Sequence, residues 1–389
     1  MTLRRRQPGS LEQVRRHNLH LVLRSVYSGA AQSRAELAGV TGLTKPTVST
    51  LVGELLAAGL ISERGLGRSS DAGGKRPTLL SFEPRARQVI GVSVVGHRAL
   101  GALSDLAGET SALHVRELAP SDDALAEELA AVADVVAALL PQLDAPLLGV
   151  GVGLPGSAGS LSPAGPVAAA LERRFGVPLY LGNQAELSAL GQLAYAEGVV
   201  QGGTLVNLIV DGGVEMGVGM AGGALHYGSD LGELRFPGAG ADVPLRDRLS
   251  WSATRGRVEA ALATDGDRPA AGERAGAAPD RAAPSYLRLR SAANAGNRAA
   301  ARLIDELARD LAPVLAWLVA TVRPTQVSLG GRLSDLGEPF LVSLRRHAAA
   351  VLPVAQLADV ALSLAYSDQL GAMGAVALVV QAELELLTP

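Results

Sequence analysis

Residues 33–63 carry the most restrictive pattern in this 389-residue chain. Ser33 stands three residues before Glu36, the spacing of a capping box that satisfies two orphan backbone N–H groups at a helix start. Gly42 supplies a tight turn. A second helix opens at Thr44 and carries Pro46 in its first turn, where a missing N–H is harmless. Val48, Leu51 and Leu55 fall on one face of it, at i, i+3 and i+7. Lys45, Thr47, Ser49 and Thr50 are left facing outward. Gly59 ends this helix, and residues 60–63 and 77–82 read as two strands joined by a flexible, basic stretch. Two short helices, a turn and a β-hairpin form the layout of a winged helix-turn-helix. In that layout short hydroxyls and cations near the start of the second helix meet base edges and phosphates.

Charge supports a polyanionic partner. Residues 1–82 hold 12 Lys and Arg against 5 Asp and Glu, a net of +7, whereas the whole chain is −3 and the remainder is therefore −10. Cationic potential is confined to the N-terminal fifth. Candidate DNA contacts are Lys45, Pro46, Thr47, Ser49 and Thr50 on the second helix, Arg34 on the first, and Arg64, Arg68, Lys75 and Arg76 in the wing, whose tip can follow a phosphate backbone or a minor groove. Ahead of the motif, Ser10 and Gln13 can cap a helix running to about Ser28, with Leu11, Val14, Leu21 and Val26 expected inward.

The remaining ~300 residues are long enough for two lobes with sizeable cores, at about 100–200 residues per domain. A hydrophobic content of 48% supports folded structure. The absence of cysteine excludes disulfides and thiolate metal sites. No uninterrupted apolar run of about 18 residues and no signal peptide are visible, so a cytoplasmic protein without a membrane partner is expected, nucleoid-associated when bound to DNA. Six scattered histidines show no metal-ligand spacing.

Strand and helix patterns alternate. Residues 88–95 and 99–105 read as a hairpin turning at Gly96 and His97, 123–140 as a helix, 147–154 as a strand, 167–175 as a helix after Pro166, 179–181 as a strand and 185–197 as a helix. Residues 205–210 and 214–220 read as strands, and 292–323 as a long helical region interrupted at Pro313. The order predicts an α/β fold. Residues 264–284 lack apolar periodicity and read as a mobile loop.

These residues resemble the ROK family of repressors, open reading frames and sugar kinases. The likeness lies in Arg16-His-Asn-Leu, the 33–63 motif, Gly73-Gly-Lys-Arg-Pro77, residues 79–84, Ser328-Leu-Gly-Gly-Arg-Leu333 and Gly371-Ala-Met-Gly-Ala-Val376. It implies a winged helix-turn-helix at 1–84 and a two-lobed, actin-like (ribonuclease-H-like) sugar-kinase fold. Lobe 1 is expected at 85–200, completed by a C-terminal helix at about 370–389, and lobe 2 at 201–369 with its mobile loop at 264–284.

Three departures from the family's kinases follow. Their Asp-x-Gly-Gly-Thr phosphate loop is matched here by Ser93-Val-Val-Gly-His97, which lacks the acidic residue, the first glycine and the threonine. Their Glu-Asn-Asp-Ala-Asn-Ala motif is matched by Gly182-Asn-Gln-Ala-Glu-Leu187, and the amide of Gln184 cannot act as the general base that the Asp provides. Their zinc-binding Gly-Glu-Ile-Gly-His segment and cysteine loop are matched by Gly232-Glu-Leu-Arg-Phe236 and a cysteine-free stretch, so no zinc is expected, and packing by Phe236 and Trp251 replaces it. Asn183 and Glu233 match positions that hydrogen-bond hexose hydroxyls, with Gln184 and Gly156 bordering the same cleft. The expectation is a DNA-binding regulator, a repressor of carbohydrate-related genes, that uses no cofactor, is no enzyme, assembles as a homodimer or homotetramer, and has a sugar as effector. The alternative is a sugar kinase with a fused DNA-binding domain.

Overall fold

A computed structural model describes residues 11–67, 76–119, 121, 123–156, 166–195, 203–220, 223–235, 243–263, 285–364 and 369–386. The N-terminal head consists of α1 (Leu11–Tyr27), α2 (Arg34–Thr41), α3 (Lys45–Ala57), β1 (Ile61–Leu66) and β2 (Thr78–Phe82). Local chemistry sets its turns. Ser33 Oγ accepts from Glu36 N at 3.3 Å, while the Glu36 carboxylate reaches one residue further back than a reciprocal box requires and accepts from Gln32 N at 2.8 Å. Gly42 ends α2 at φ 70°, and Thr44 caps α3 through Thr47 N. Val48, Leu51, Val52 and Leu55 are buried. The two wing strands are antiparallel, with Ile61 opposite Phe82, and Leu80 N donates to Gln32 O, fastening the wing to the entry of α2.

The inward face of α1 differs from the expected one. Leu11 and Val14 are exposed, at 92% and 55%, Leu21 is half-buried, and only Val26 of the expected four is buried, beside His20, Val22, Leu23 and Ser25. The reason is tertiary: the first two turns of α1 are exposed, with Arg15 paired to Glu54 of α3 at 2.9 Å, and the buried side chains come from its later turns, which pack among α2, α3 and β2. Ser10 lies outside the described residues.

Two five-stranded sheets follow. The first contains β3 (Gln88–Val95), β4 (Arg98–Asp105), β5 (Thr110–Glu117), β6 (Leu147–Leu154) and β7 (Leu179–Asn183) in the order β5-β4-β3-β6-β7. Strands β3, β4 and β5 form an antiparallel meander, and β6 and β7 run parallel to β3. Helices α4 (Ala124–Leu139), α5 (Pro166–Phe175) and α6 (Gln184–Tyr195) accompany it. The second sheet contains β8 (Thr204–Val210), β9 (Val214–Met220), β10 (Gly223–Asp230), β11 (Gln326–Gly330) and β12 (Ala361–Leu364), ordered β10-β9-β8-β11-β12. Helices α7 (Arg246–Leu249), α8 (Trp251–Ala263), α9 (Tyr286–Asn294), α10 (Arg298–Val322), α11 (Gly337–Ala349) and α12 (Val354–Ala358) belong to that half, and α13 (Gln369–Leu384) closes the chain.

Helix α10 runs through Pro313 without a break. A proline in a helix interior costs about 3 kcal/mol, but Leu307, Leu311, Val314, Leu315 and Leu318 are fully buried in the second lobe's core. Each such side chain contributes about 1.5–3 kcal/mol, which outweighs the penalty. Residues 292–297 belong instead to the end of α9 and to a turn capped by Asn297. The segment 264–284 and Phe236 lie outside the described residues, while Trp251 packs edge-on against Tyr286.

Strand β3 is buried on both faces. Ile90, Val92 and Val94 pack against Val132, Val135 and Val136 of α4, and its other face meets α13. That approach is backbone-close: a Cβ on Gly151 of β6 would lie 2.1 Å from Ala375 O, and one on Gly374 would lie 1.6 Å from Leu187 O of α6. Val376, Val379, Val380 and Leu384 of α13 share one apolar cluster with Val22, Leu23, Val26, Leu37 and Val48 of the head. The head is thus built onto the first lobe. Among the described residues no helix is long and apolar enough to cross a membrane.

Candidate functional site

Two places carry functional side chains. On α3, Lys45, Pro46, Ser49 and Thr50 are exposed and Thr47 is half-buried. The Thr47 and Thr44 hydroxyls are 2.8 Å apart, and Thr50 Oγ1 donates to Pro46 O at 3.1 Å. Arg34 pairs with Glu63 of β1 at 2.9 Å and Arg64 with Glu83 at 3.2 Å. Arg76 is exposed. Arg68 and Lys75 lie outside the described residues. One face therefore presents the α3 side chains with the start of the wing beside them.

The second place is the cleft between the sheets. Asn183 ends β7, and its Oδ1 accepts from Ala185 N at 2.9 Å and Glu186 N at 3.3 Å, so the residue also starts α6. Its Nδ2 donates to Gly156 O at 2.7 Å and to Glu215 Oε2 at 3.2 Å. Gly156 N donates to Glu215 Oε1 at 3.1 Å. Asn183 and Gly156, expected together, are brought together, and Gln184 lies buried beside them. Glu233 is placed differently: it is 62% exposed and pairs with Arg246. The carboxylate that meets Asn183 is Glu215 of β9. It is 6% exposed, and burial pushes its pKa up to about 7 against the two N–H donors that favour its charged form.

A few residues away the lobes meet a second time. A Cβ on Gly96, in the β3–β4 turn, would lie 2.5 Å from Asp211 Oδ2 at the end of β8. Asp211 pairs with Arg332 Nε at 3.0 Å, and burial raises its pKa while Arg332 lowers it. Arg332 Nη2 is 2.6 Å from His97 Nδ1, and its guanidinium lies 5.1 Å from the centre of the Trp251 ring. Since Arg332 can only donate, His97 Nδ1 accepts and its proton sits on Nε2, which faces Glu117 at 3.1 Å. Ser93, at the position matching the kinases' acidic residue, is buried.

Residues 253–382 match the family described as ROK family. A xylose repressor of Caldicellulosiruptor bescii is 27% identical over 355 residues, covering 84% of this chain and 86% of that protein. The xylose repressor of Bacillus subtilis is 27% identical over 195 residues, 47% of this chain and 50% of that protein. A ROK family transcriptional regulator, homologous to the E. coli MLC protein, superposes with a TM-score of 0.70 at 19% identity, covering 96% of this chain and 98% of its own. A ROK family glucokinase from Streptomyces griseus, solved with glucose and AMPPNP, gives a TM-score of 0.57 at 20% identity, covering 75% and 98%. The chain thus has the ROK fold, and its residues 253–382 match the family itself.

Within the ROK fold, Glu215, Asp211 and Arg332 are the cleft residues that sequence reasoning misses. Arg332 follows the Gly330-Gly331 pair that carries part of the family resemblance, so a signal exists for it. Glu215 has none. It stands in a strand among valines, methionines and glycines, and only the packing of β9 on α6, which starts at the end of β7, brings it to Asn183.

Proposed function

We propose that this protein is a sequence-specific DNA-binding transcriptional regulator, a repressor of carbohydrate-related genes, whose ROK domain senses a sugar and phosphorylates nothing. The observation that carries the reading is the outward face of α3, with Lys45, Thr47, Ser49 and Thr50, on a head that shares its apolar cluster with the first lobe of a sugar-kinase fold. The names of the xylose repressor relatives support the link to sugar-controlled genes. The loss of kinase activity is supported by Gln184, whose amide cannot accept the hydroxyl proton. It is further supported by the cluster of Asp211, Arg332 and His97 beside the turn that matches the kinases' phosphate loop. The partner is double-stranded operator DNA, contacted by α3 and by Arg34, Arg64, Arg68, Lys75 and Arg76. One head reads one half-site, so the active form is a symmetric homodimer or a homotetramer, acting in the cytoplasm.

Effector binding between the lobes acts through different affinities for two lobe closures. A coupling of about 1–3 kcal/mol changes operator affinity roughly 5- to 150-fold. Genome-wide mapping of bound sites, followed by operator titration with and without mono- and disaccharides, tests the reading; binding beside sugar-utilisation genes is expected. ATP consumption with any hexose of a panel would instead establish the kinase alternative.

A further inference from the structure

Resting on that reading of the cleft, we infer that Glu215 is the residue that selects the effector, and that the effector is an uncharged or cationic polyol that donates to this carboxylate, with anionic sugars excluded. Asn183 has no hydrogen-bonding capacity left for a ligand: both amide hydrogens and both oxygen lone pairs are engaged, by Gly156 O, Glu215, Ala185 N and Glu186 N. Gly156 N is also taken. Glu215 is the complementary case. A carboxylate offers about four acceptor positions, and each oxygen here receives one N–H, from Gly156 and from Asn183. A group arriving at this point therefore finds lone pairs and must bring hydrogens. Hydroxyl and ammonium groups do so; a carboxylate or phosphate does not.

Charge points the same way. Neither of these two hydrogen bonds to Glu215 comes from a cation, and Asp230 and Glu128 add negative potential around it. Above about pH 7, where Glu215 is ionised, an anionic ligand would be held against like charge in a site shielded from water, where such repulsion is strongest. Glu215 belongs to the second lobe and both its donors to the first, so a ligand bonded to it sits on the contact between the lobes.

The test is calorimetric titration of the full chain, above the pH of about 7 at which Glu215 ionises, with D-xylose, D-glucose, D-glucosamine, D-glucuronate and D-glucose 6-phosphate. At least one of the first three is expected to bind and neither of the last two. Glu215→Gln should weaken the bound sugar by at least about tenfold, the loss expected for one charge-assisted hydrogen bond, and should narrow the gap to glucuronate. Glu215→Asp keeps the charge and should retain the exclusion of anions. Thermal melts establish that both variants fold; if either does not, the neutral-against-anionic comparison in the unaltered chain still decides. Equal affinity of the unaltered chain for glucuronate or glucose 6-phosphate overturns the selection rule. A sugar bound equally well by Glu215→Gln overturns the role of Glu215 while leaving sugar sensing in place. Binding of none of the five overturns both.

Discussion

The two sheets share one strand order, yet they are attached to the rest of the molecule in opposite ways. The first is continuous with the head: Val376, Val379, Val380 and Leu384 of α13 share one apolar cluster with residues of α1, α2 and α3, and Arg87 donates to Ala58 O at 3.1 Å. The second keeps its own core, with Phe340 and the buried stripe of α10 at its centre. It reaches the first through α6 and through polar ties at Glu215 and Arg332. Apolar packing is non-directional and is lost only by exposing area, whereas hydrogen bonds across a cleft can be exchanged for bonds to a ligand or water at small net cost. The head thus shares apolar packing with the first lobe, whereas the second lobe meets the first through α6 and these polar ties.

The largest effects should come from core deletions on either side of that divide. Leu384→Ala is expected to cost about 2–5 kcal/mol and Phe340→Ala about 3–5 kcal/mol. Hydrogen exchange should show the first lowering protection in α1 and β3 together while sparing α10, and the second doing the reverse. Weakened protection in α1 alone would break the comparison.

Next is the pH dependence of the cleft. Burial raises Glu215 to about 7, so the folded chain holds a proton that the unfolded chain releases from about pH 4.5 upward. The stability it contributes is present below pH 4.5 and lost as pH rises through 7, on the order of 3 kcal/mol. Glu128, raised by burial to about 7 as well, adds a parallel loss. Denaturation midpoints between pH 4.5 and 8 should therefore flatten in part in Glu215→Gln and further in the double variant with Glu128→Gln. An unchanged slope would show that neither group is held protonated by the fold.

Smaller effects belong to the DNA face, away from both lobes. Lys45→Ala and Thr47→Ala should each weaken specific operator binding by about 1–3 kcal/mol for every base edge they cease to touch, and leave the denaturation midpoint nearly unchanged. Neutralising Arg68, Lys75 and Arg76 should weaken binding to every sequence and lower the salt slope by roughly one unit for each phosphate no longer neutralised. Equal slopes in the unaltered chain and the triple variant would remove the wing from the interface. A small stability change is expected at Arg34→Ala, below about 1 kcal/mol, since its pair with Glu63 is partly exposed. A fall in operator affinity beyond that assigns Arg34 to DNA.

The sequence by itself determined the head's turns, the character of α3 and the alternation of strands and helices in the lobes. Each rests on residues within a few positions of one another: Ser33 with Glu36, Thr44 with Thr47, Gly42 in a left-handed turn, Ile90, Val92 and Val94 on one side of a strand. Contacts between distant segments were decided only by the tertiary structure. The inward face of α1 is the one packed on α2, α3 and β2, in a cluster that extends to α13, and Leu11 and Val14 lie exposed although their spacing suits an inward face. Pro313 is tolerated because of the core around α10, which no local propensity reports. Glu215 reaches Gly156 across 59 positions and Asn183 across 32, from the opposite lobe. Propensity and capping act over one or two helical turns, whereas a cleft is made where two sheets meet, and the register that brings a carboxylate to an amide there leaves no periodic mark in either strand.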